Sequence, residues 1–163
     1  MILRDVGAMA EAVPGTGALL GLDLGTRTIG VAASDPARRI ASPVTTIRRT
    51  KFTPDAARLF ALMDDRNVVG LVLGWPVEMS GEEGKRCQST RNFAENVLHI
   101  RDIPVLLWDE RLSTSAVERM MVQEFDLSRR KRAEKVDAAA AAYILQGALD
   151  ALARQPQTRE NMA

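Results

Sequence analysis

The sequence predicts an α/β protein whose five-stranded mixed sheet carries helices on both faces. Three apolar, β-branched stretches come first, with only short turns between them, as in an antiparallel meander. Two later runs, at 68–74 and 103–110, are almost entirely apolar, which is typical of strands buried on both faces. A helical pattern separates these runs, so we expect the two strands to be parallel. A chain of 163 residues is long enough for one domain with a complete core.

The meander begins after residues 1–17, a mixed stretch that ends in Pro-Gly-Thr-Gly and is predicted as a flexible arm. Strands at about 18–24 and 28–34 flank the polar turn Gly-Thr-Arg. A third strand is predicted at 39–49, where β-branched residues are frequent. The stretch "TPDAARLFALMDDRN" then combines an early proline with apolar residues at helical spacing, which predicts a helix.

The second half of the chain alternates strands with helices. The amphipathic "QSTRNFAENVLHIR" predicts a helix between the two buried strands, and "STSAVERMMVQE" predicts another that opens with a Ser/Thr cap. The stretch "DLSRRKRAEK" is predicted as a charged loop. The alanine-rich "VDAAAAAYILQGALDALAR" predicts a strong helix with Asp137 at its start. The domain is expected to span 18–152, with a polar tail at 153–163.

The composition limits the classes of function. The net charge is +1, so any nucleic-acid binding must rest on local basic patches. The single cysteine, Cys87, has no partner for an internal disulfide, and the single histidine, His99, is too few for a His-rich zinc site. A metal site would therefore be mainly oxygen-ligated, which favours Mg²⁺ or Mn²⁺. No run of 18 apolar residues is present, so no membrane partner is expected.

Acidic residues occupy positions where strands and helices end or begin. Asp23 interrupts an apolar run, the pair Asp109-Glu110 closes the last strand, and Asp137 opens the final helix. If the first and last strands are neighbours in the sheet, these carboxylates approach each other at one end. Clustered carboxylates repel one another unless cations lie between them. Two Mg²⁺ ions roughly 3.5–4 Å apart would relieve that repulsion and suit attack on a phosphodiester.

Each acid also has a purely structural explanation that the residue pattern leaves open. Asp23 can hydrogen-bond the polar turn of its own hairpin. Asp109 can cap the following helix or pair with Arg111. Asp137 can be an N-terminal helix acid, which the helix dipole favours. The pattern of residues alone therefore suggests the acidic cluster without establishing it.

Four blocks of the sequence are more specific: "LDLGTRTIGVAASD", "LVLGWPVEMSGEEGKRCQSTRNFAENV", "WDERLSTSAVERMM" and "KVDAAAAAYILQ". Together they resemble the signature blocks of the YqgF family, the Holliday-junction-resolvase-like proteins also called pre-16S rRNA nucleases, over roughly residues 18–152. The resemblance implies an RNase H-like fold, with Asp23, Glu110 and Asp137 as catalytic and metal-binding acids. It also implies a cytoplasmic nuclease that uses Mg²⁺ or Mn²⁺, with two ions expected, and matures the 5′ end of pre-16S rRNA in ribosome biogenesis.

The resemblance distinguishes Asp109 from Glu110, and it also shows where this chain differs from the pattern of the family. Glu110 rather than Asp109 occupies the family's acidic position, and alternation along a strand turns neighbouring side chains to opposite faces. The family commonly has Leu, Asn and Asp where this chain has Trp75, Glu78 and Ser80. Glu78 would either add a carboxylate near the site or remain a solvated acid. Trp75 would either stack on a base or cover the loop.

Basic residues near these acids are candidates for contacts with phosphate groups. The predicted nucleic-acid-binding residues are Arg27, Lys85, Arg86, Arg111, Arg129, Arg130, Lys131 and Arg132. A further basic cluster follows the third strand and consists of Arg48, Arg49 and Lys51. Charge runs are most often solvated loops. This is the alternative explanation for the basic residues at 48–51 and at 129–132.

Three alternative functions are consistent with the sequence. A Holliday-junction resolvase-like DNA endonuclease would act as a two-fold dimer, so the chain is expected to be a monomer or a homodimer. A non-catalytic RNA-binding ribosome-assembly or transcription factor would keep the fold without cleavage. "DLGT" also resembles the first phosphate motif of actin-type and sugar-kinase proteins, but those need two such domains. The expected partner is nucleic acid, either pre-rRNA of the small-subunit precursor or branched DNA.

Overall fold

The computed structural model describes residues 1–77, 80–113 and 129–156, with the side chains at 112–113 and 129–135 left out. The strands are β1 (Ile2–Leu3), β2 (Ala18–Leu24), β3 (Thr28–Ser34), β4 (Ala41–Arg48), β5 (Val68–Trp75) and β6 (Val105–Asp109). The helices are α1 (Val6–Ala12), α2 (Phe52–Asp65), α3 (Lys85–Ile100) and α4 (Arg129–Ala153), and a 3₁₀ turn follows β6 at Glu110–Ser113. Glu78, the predicted helix from residue 114 onward and the end of the tail lie outside the described residues.

The strands form one sheet in the order β1-β6-β5-β2-β3-β4. β2, β3 and β4 form the predicted antiparallel meander, while β2, β5 and β6 run parallel and are joined through helices. The predicted mixed α/β sheet is confirmed, with six strands instead of five. β5 lies between β2 and β6, so the assumption that the first and last predicted strands are neighbours is wrong.

The N-terminal segment belongs to the fold and differs from the flexible arm that the sequence predicts. β1 pairs in parallel with β6, with Ile2 opposite Val105. α1 is N-capped by Asp5, whose carboxylate accepts a hydrogen bond from the Ala8 N–H at 3.0 Å. Met9 is fully buried in the core. Such short elements are marginal in isolation, so it is burial and strand pairing that stabilise them here.

Side-chain alternation along β2 divides the core into two layers. Leu20, Leu22 and Leu24 point to the face that α2 and α3 cover. Leu19 points to the opposite face, which α1 and α4 cover. The helices thus lie on both faces, as predicted. By the same alternation, Asp23 lies on the α4 face and not among the leucines that surround it in the sequence.

α4 begins earlier than the sequence predicts. Residues 129–135, interpreted as a charged loop, form its first two turns. Arg, Lys, Ala and Glu are all favourable in helices, but the stretch lacks the apolar periodicity that would have indicated one. Asp137 therefore lies in the third turn of the helix, and the expectation that it opens the helix is wrong.

One window of α4, Val136–Ala153, has the length and mean hydropathy, 1.2, of a membrane-spanning helix. The same window packs on the sheet and contributes Ala141, Leu145 and Ala148 to the core layer that it shares with α1. These apolar residues of the window are therefore buried within the domain.

Glycines on the α4 face allow this helix to lie directly on the backbone of the strands. A Cβ atom at Gly21 would lie 2.7 Å from Leu145 Cβ and 3.0 Å from the carbonyl oxygen of Ala141. A Cβ atom at Gly30 would overlap the carbonyl oxygen of Asp137. Packed interiors do not accommodate such overlaps, so a side chain at either position would push α4 outward.

We expect Gly30→Ala to lower the free energy of unfolding by about 1–3 kcal/mol, because the added methyl group displaces α4. Gly15→Ala is the matched control, since no atom lies within 4 Å of a Cβ atom there. We expect the control to stay within about 0.5 kcal/mol of the wild type. Urea unfolding followed by circular dichroism measures both, and equal stabilities of the two variants would contradict the close approach of α4.

Candidate functional site

Asp23 lies near the carboxyl end of β2 and is half-buried. Its pKa is raised, mainly because burial disfavours the charged carboxylate and secondly because Asp137 carries a negative charge nearby. A side-chain hydrogen bond with Glu110 and the positive charge of Arg86 act in the opposite direction. The carboxyl group of Asp23 therefore interacts with other elements of the fold, in preference to the turn of its own hairpin.

Glu110 is the first residue of the 3₁₀ turn after β6 and reaches Asp23 across the intervening strand β5. The side chain passes over Gly74, where a Cβ atom would lie 2.6 Å from Glu110 Oε1. Burial raises the pKa of Glu110 to about 7, and the charge of Asp23 and the hydrogen bond between the two carboxyl groups contribute. The positive charge of Arg86 opposes this increase. The two carboxyl groups thus titrate as a coupled pair.

Asp137 reaches the same end of the sheet from α4. Its Oδ2 accepts a 2.8 Å hydrogen bond from the hydroxyl group of Thr28 in β3. The helix touches β3 at Gly30, the residue paired with Asp23 in the β2–β3 ladder. The structure therefore brings the three predicted acids together from three separate elements. The interpretation of Asp137 as a simple N-terminal helix acid is wrong, because the residue lies in the third turn.

Asp109, the other acid at the end of β6, is engaged with Arg111. Its Oδ1 accepts hydrogen bonds from the Arg111 backbone N–H at 2.9 Å and from Nε at 3.1 Å, and its Oδ2 accepts one from Nη2 at 2.7 Å. These bonds lower the pKa of Asp109 and keep it charged. The interpretation that Asp109 holds Arg111 is confirmed. Arg111 is correspondingly committed to this pair, which weakens its candidacy as a phosphate contact.

Among the predicted basic residues, Arg86 acts directly on the acids. It is exposed in the first turn of α3, and its positive charge lowers the pKa of both Asp23 and Glu110. Lys85 is exposed beside it, and Arg27 is exposed in the turn between β2 and β3. Residues 129–132 form the first turn of α4, and their side chains lie outside the described part of the chain.

Trp75 ends β5 and is 2% exposed, so the interpretation of it as a base-stacking side chain is wrong. Its Nε1 donates a hydrogen bond to Glu83 Oε1 at 3.3 Å, and the guanidinium groups of Arg4 and Arg91 lie 5.1 Å and 5.5 Å from the ring centroid. Arg4 also forms an ion pair with Glu83 at 2.7 Å. Trp75 is part of the core and contacts the following loop through Glu83. No local pattern points to Arg4, because the contact joins the N-terminal segment to a distant loop.

The three acids match the chemistry of a divalent cation site. In residues 1–77, 80–113 and 129–156 no three acidic, His or Cys side chains are grouped so that they could hold one metal ion. However, Asp23 and Glu110 share a hydrogen bond and both have raised pKa values, and Asp137 adds negative charge. A cation bound to these oxygens would replace the shared proton and relieve the repulsion. The donor set, all carboxylate, fits Mg²⁺ or Mn²⁺.

Parallel central strands extended by an antiparallel meander, with helices on both faces, define a protein of the RNase H-like fold class. RuvC of Thermus thermophilus, solved with a Holliday junction substrate, matches with a TM-score of 0.50 and 14% identity, over 85% of this chain and 96% of that chain. The fowlpox virus resolvase, solved with Holliday junction DNA, matches with a TM-score of 0.51 and 8% identity, over 83% and 98%. Likeness at such low identity establishes the fold alone.

Sequence comparison identifies the family. The family model described as "RuvX: Holliday junction resolvase" matches residues 17–151, and the chain belongs to this family, also called YqgF. A protein of Rhodospirillum rubrum is 65% identical over 155 residues, which cover 95% of this chain and 96% of its own. One of Paracoccus denitrificans is 59% identical over 152 residues, covering 93% and 96%. Both bear the name "Putative pre-16S rRNA nuclease".

The coupled acid pair makes the stability of the metal-free protein depend on pH. The pKa of Glu110 is about 7 in the folded state against an ordinary value of 4.5, so between these values the folded protein holds a proton that the unfolded chain has lost. The resulting stabilisation is complete below the ordinary pKa of 4.5, and it disappears as the pH rises through the folded-state pKa of about 7. We therefore expect the wild type to become less stable than Glu110→Gln as the pH rises from about 5 to about 8.

Thermal unfolding in the presence of a chelator measures this difference. Glu95→Gln is the matched control, because Glu95 is exposed on α3 and the substitution removes the same charge. We expect this control to follow the wild type at every pH. A Glu110→Gln variant that also follows the wild type at every pH would show that the pKa of Glu110 is not raised.

Proposed function

We propose that this protein is a divalent-metal-dependent nuclease that cleaves phosphodiester bonds and matures the 5′ end of pre-16S rRNA in the cytoplasm. The observation that carries the proposal is the convergence of Asp23, Glu110 and Asp137 from three elements at one end of the sheet. RNA is chosen as the substrate because the relatives at 65% and 59% identity bear the name of an rRNA nuclease.

Asp23, Glu110 and Asp137 would hold the metal, which we infer to be two ions of Mg²⁺ or Mn²⁺, through their carboxylate oxygens. When bound, such ions polarise the phosphate and lower the pKa of a coordinated water. Metal binding requires deprotonated carboxyl groups, so Asp23 and Glu110 must give up their shared proton. At metal concentrations below saturation, cleavage is therefore expected to increase as the pH rises towards the pKa of Glu110 in the metal-free protein, about 7.

The other residues of the site contribute position and charge. Thr28 fixes the rotamer of the Asp137 carboxylate through its 2.8 Å hydrogen bond. Gly74 leaves the space through which Glu110 crosses β5. Arg86 places a positive charge beside the acids, where it would attract a phosphate of the substrate and hold it at the site.

We expect Asp23→Asn and Glu110→Gln each to lower the cleavage rate more than about 100-fold, because each removes a charged metal ligand. The assay uses a labelled RNA that carries the 5′ precursor segment of small-subunit rRNA, with Mn²⁺ and with a chelator in a parallel reaction. Asp109→Asn is the matched control, since Asp109 is the neighbouring acid but pairs with Arg111. We expect the control to retain activity within about tenfold.

Cleavage that persists with the chelator, or in both acid variants, would contradict the metal-dependent mechanism. A Holliday-junction resolvase activity is the second candidate, because the matching family model bears that description and the fold matches two structures solved with junction DNA. A four-way DNA junction in the same assay distinguishes the two. Cleavage of the junction alone, by a two-fold dimer, would favour the second candidate over the first.

Thr28→Val tests the positioning of Asp137, since valine keeps the shape of threonine but cannot donate the hydrogen bond. We expect cleavage to fall by about 10–100-fold, as for the loss of other partners that orient metal ligands. The KM for RNA is expected to stay unchanged, because Thr28 contacts an acid and not the substrate. Thr26→Val, in the exposed turn, is the control. A rise in KM with unchanged kcat would refute the positioning role.

A further inference from the structure

A polar groove lies along α3, next to the connection between β4 and α2 and on the face of the sheet opposite to α4. It encloses a volume of about 360 Å³. Its lining includes the cations Arg49 and Lys85, the aromatic rings of Phe52 and Phe93, and neutral polar side chains of α3, without a carboxylate among the described residues. We call it the α3 groove. A cationic, carboxylate-free groove with an aromatic ring is suited to an anionic ligand that also has flat, apolar faces.

The α3 groove lies near the same end of the sheet as the acids, but on the opposite face. Lys85 directly precedes Arg86, whose positive charge acts on both Asp23 and Glu110. Arg49 Nη1 donates a 2.6 Å hydrogen bond to the carbonyl oxygen of Gly25, two residues after Asp23. Both cations of the groove are thus connected to the end of the sheet that carries the acids. A chain molecule bound at the acids would have to pass around this end of the sheet to enter the groove.

The positive charge of the groove is available to a ligand. Among the described residues, neither Arg49 nor Lys85 has a carboxylate within ion-pair distance. Lys85 is exposed, and Arg49 is half-buried with its hydrogen bond to a neutral carbonyl group. Phosphate groups pair with such cations and release counterions on binding, which makes the affinity depend on salt.

One ring of the groove can carry a base. Phe93 is buried and packs edge-to-face against Phe52, with the ring centroids 5.6 Å apart. Phe52 itself is half-buried, so part of its ring remains accessible in the groove. Stacking of a base on an aromatic side chain stabilises a single strand whatever its sequence.

The α3 side of the groove presents a row of side-chain amides. Gln88, Asn92 and Asn96 follow one another at four-residue intervals, and all three are exposed. Gln88 Nε2 donates a 3.0 Å hydrogen bond to Asn92 Oδ1, which orients both amides. The row is about 12 Å long at the rise of an α-helix. Amides both donate and accept hydrogen bonds, as do the 2′-hydroxyl and the base edges of an RNA strand.

We propose that the α3 groove binds a single-stranded segment of the substrate RNA that flanks the cleaved bond. Lys85 and Arg49 contact its phosphates, Phe52 stacks on a base, and the amides of α3 contact 2′-hydroxyl groups and base edges. The proposal deepens the proposed nuclease function and rests on it, because it states where the strand runs beyond the acids.

The test measures the binding of a fluorescein-labelled 12-nucleotide oligouridylate to the full chain by anisotropy, with a chelator present to prevent cleavage. We expect Lys85→Glu to weaken binding by about tenfold or more and to reduce the slope of affinity against salt. Asn92→Asp keeps the size of the side chain and adds one negative charge two turns of α3 after Lys85. We expect it to weaken binding at least about threefold.

Arg58→Glu is the control for charge reversal, because Arg58 is exposed on α2 and does not line the groove. We expect its affinity for the RNA to stay within about twofold of the wild type. Circular dichroism of every variant verifies the fold. Unchanged affinity of Lys85→Glu and Asn92→Asp, or an equal loss in Arg58→Glu, would overturn the assignment of the groove. An equal affinity of the wild type for oligothymidylate DNA would overturn the choice of RNA.

Cleavage of the labelled precursor RNA with Mn²⁺ separates this proposal from the proposed function. If the wild type cleaves the RNA and the groove variants bind and cleave it equally well, the groove is not an RNA-binding site. The proposed nuclease function would then remain supported. A wild type that binds RNA through the groove without cleaving any substrate would overturn the nuclease function and support the groove as a binding site.

Discussion

The close packing of α4 on the glycine-containing face of the sheet is the constraint on which the site depends. Because Gly30 has no Cβ atom, the backbone of α4 rests on β3, and Asp137 comes into electrostatic range of Asp23. Because Gly74 also lacks a Cβ atom, the side chain of Glu110 crosses β5 and reaches the carboxyl group of Asp23. The apolar packing that stabilises the domain therefore also holds three acids closer together than they would lie in water.

This arrangement has an energetic cost that the fold retains. Burial raises the pKa values of both Asp23 and Glu110, and their mutual repulsion adds to the effect for Glu110. The positive charge of Arg86 offsets part of this cost. The hydrogen bond between the two carboxyl groups requires one of them to be protonated, and a base or a bound cation would remove this proton. A buried acidic cluster held in this way is unfavourable for folding, and a cation bound between the acids would relieve that cost. The same carboxylates therefore lower stability and, in the proposed function, would provide the affinity for the metal.

Most of the sheet could be predicted because the meander and the buried parallel strands are encoded in local alternation and in apolar runs. The position of β5 between β2 and β6 could not be predicted from the sequence, because strand order depends on contacts between distant segments. β1 and α1 could not be predicted from the sequence for a related reason. A strand of two residues and a helix of seven have no local pattern long enough to read, and they depend on pairing with β6 and on burial of Met9.

The site shows the same division between local and non-local information. Asp23 could be singled out because a carboxylate in an apolar run is chemically unusual, and the family blocks pointed to Glu110 and Asp137. Thr28 and Gly74 are ordinary residue types whose roles arise only when another element is placed against them. The two cations of the α3 groove illustrate the point further. Arg49 belongs to a basic cluster that, alone, is best explained as a solvated loop, and Lys85 is a single cation at the start of α3. Only the fold brings these two cations into the lining of one groove.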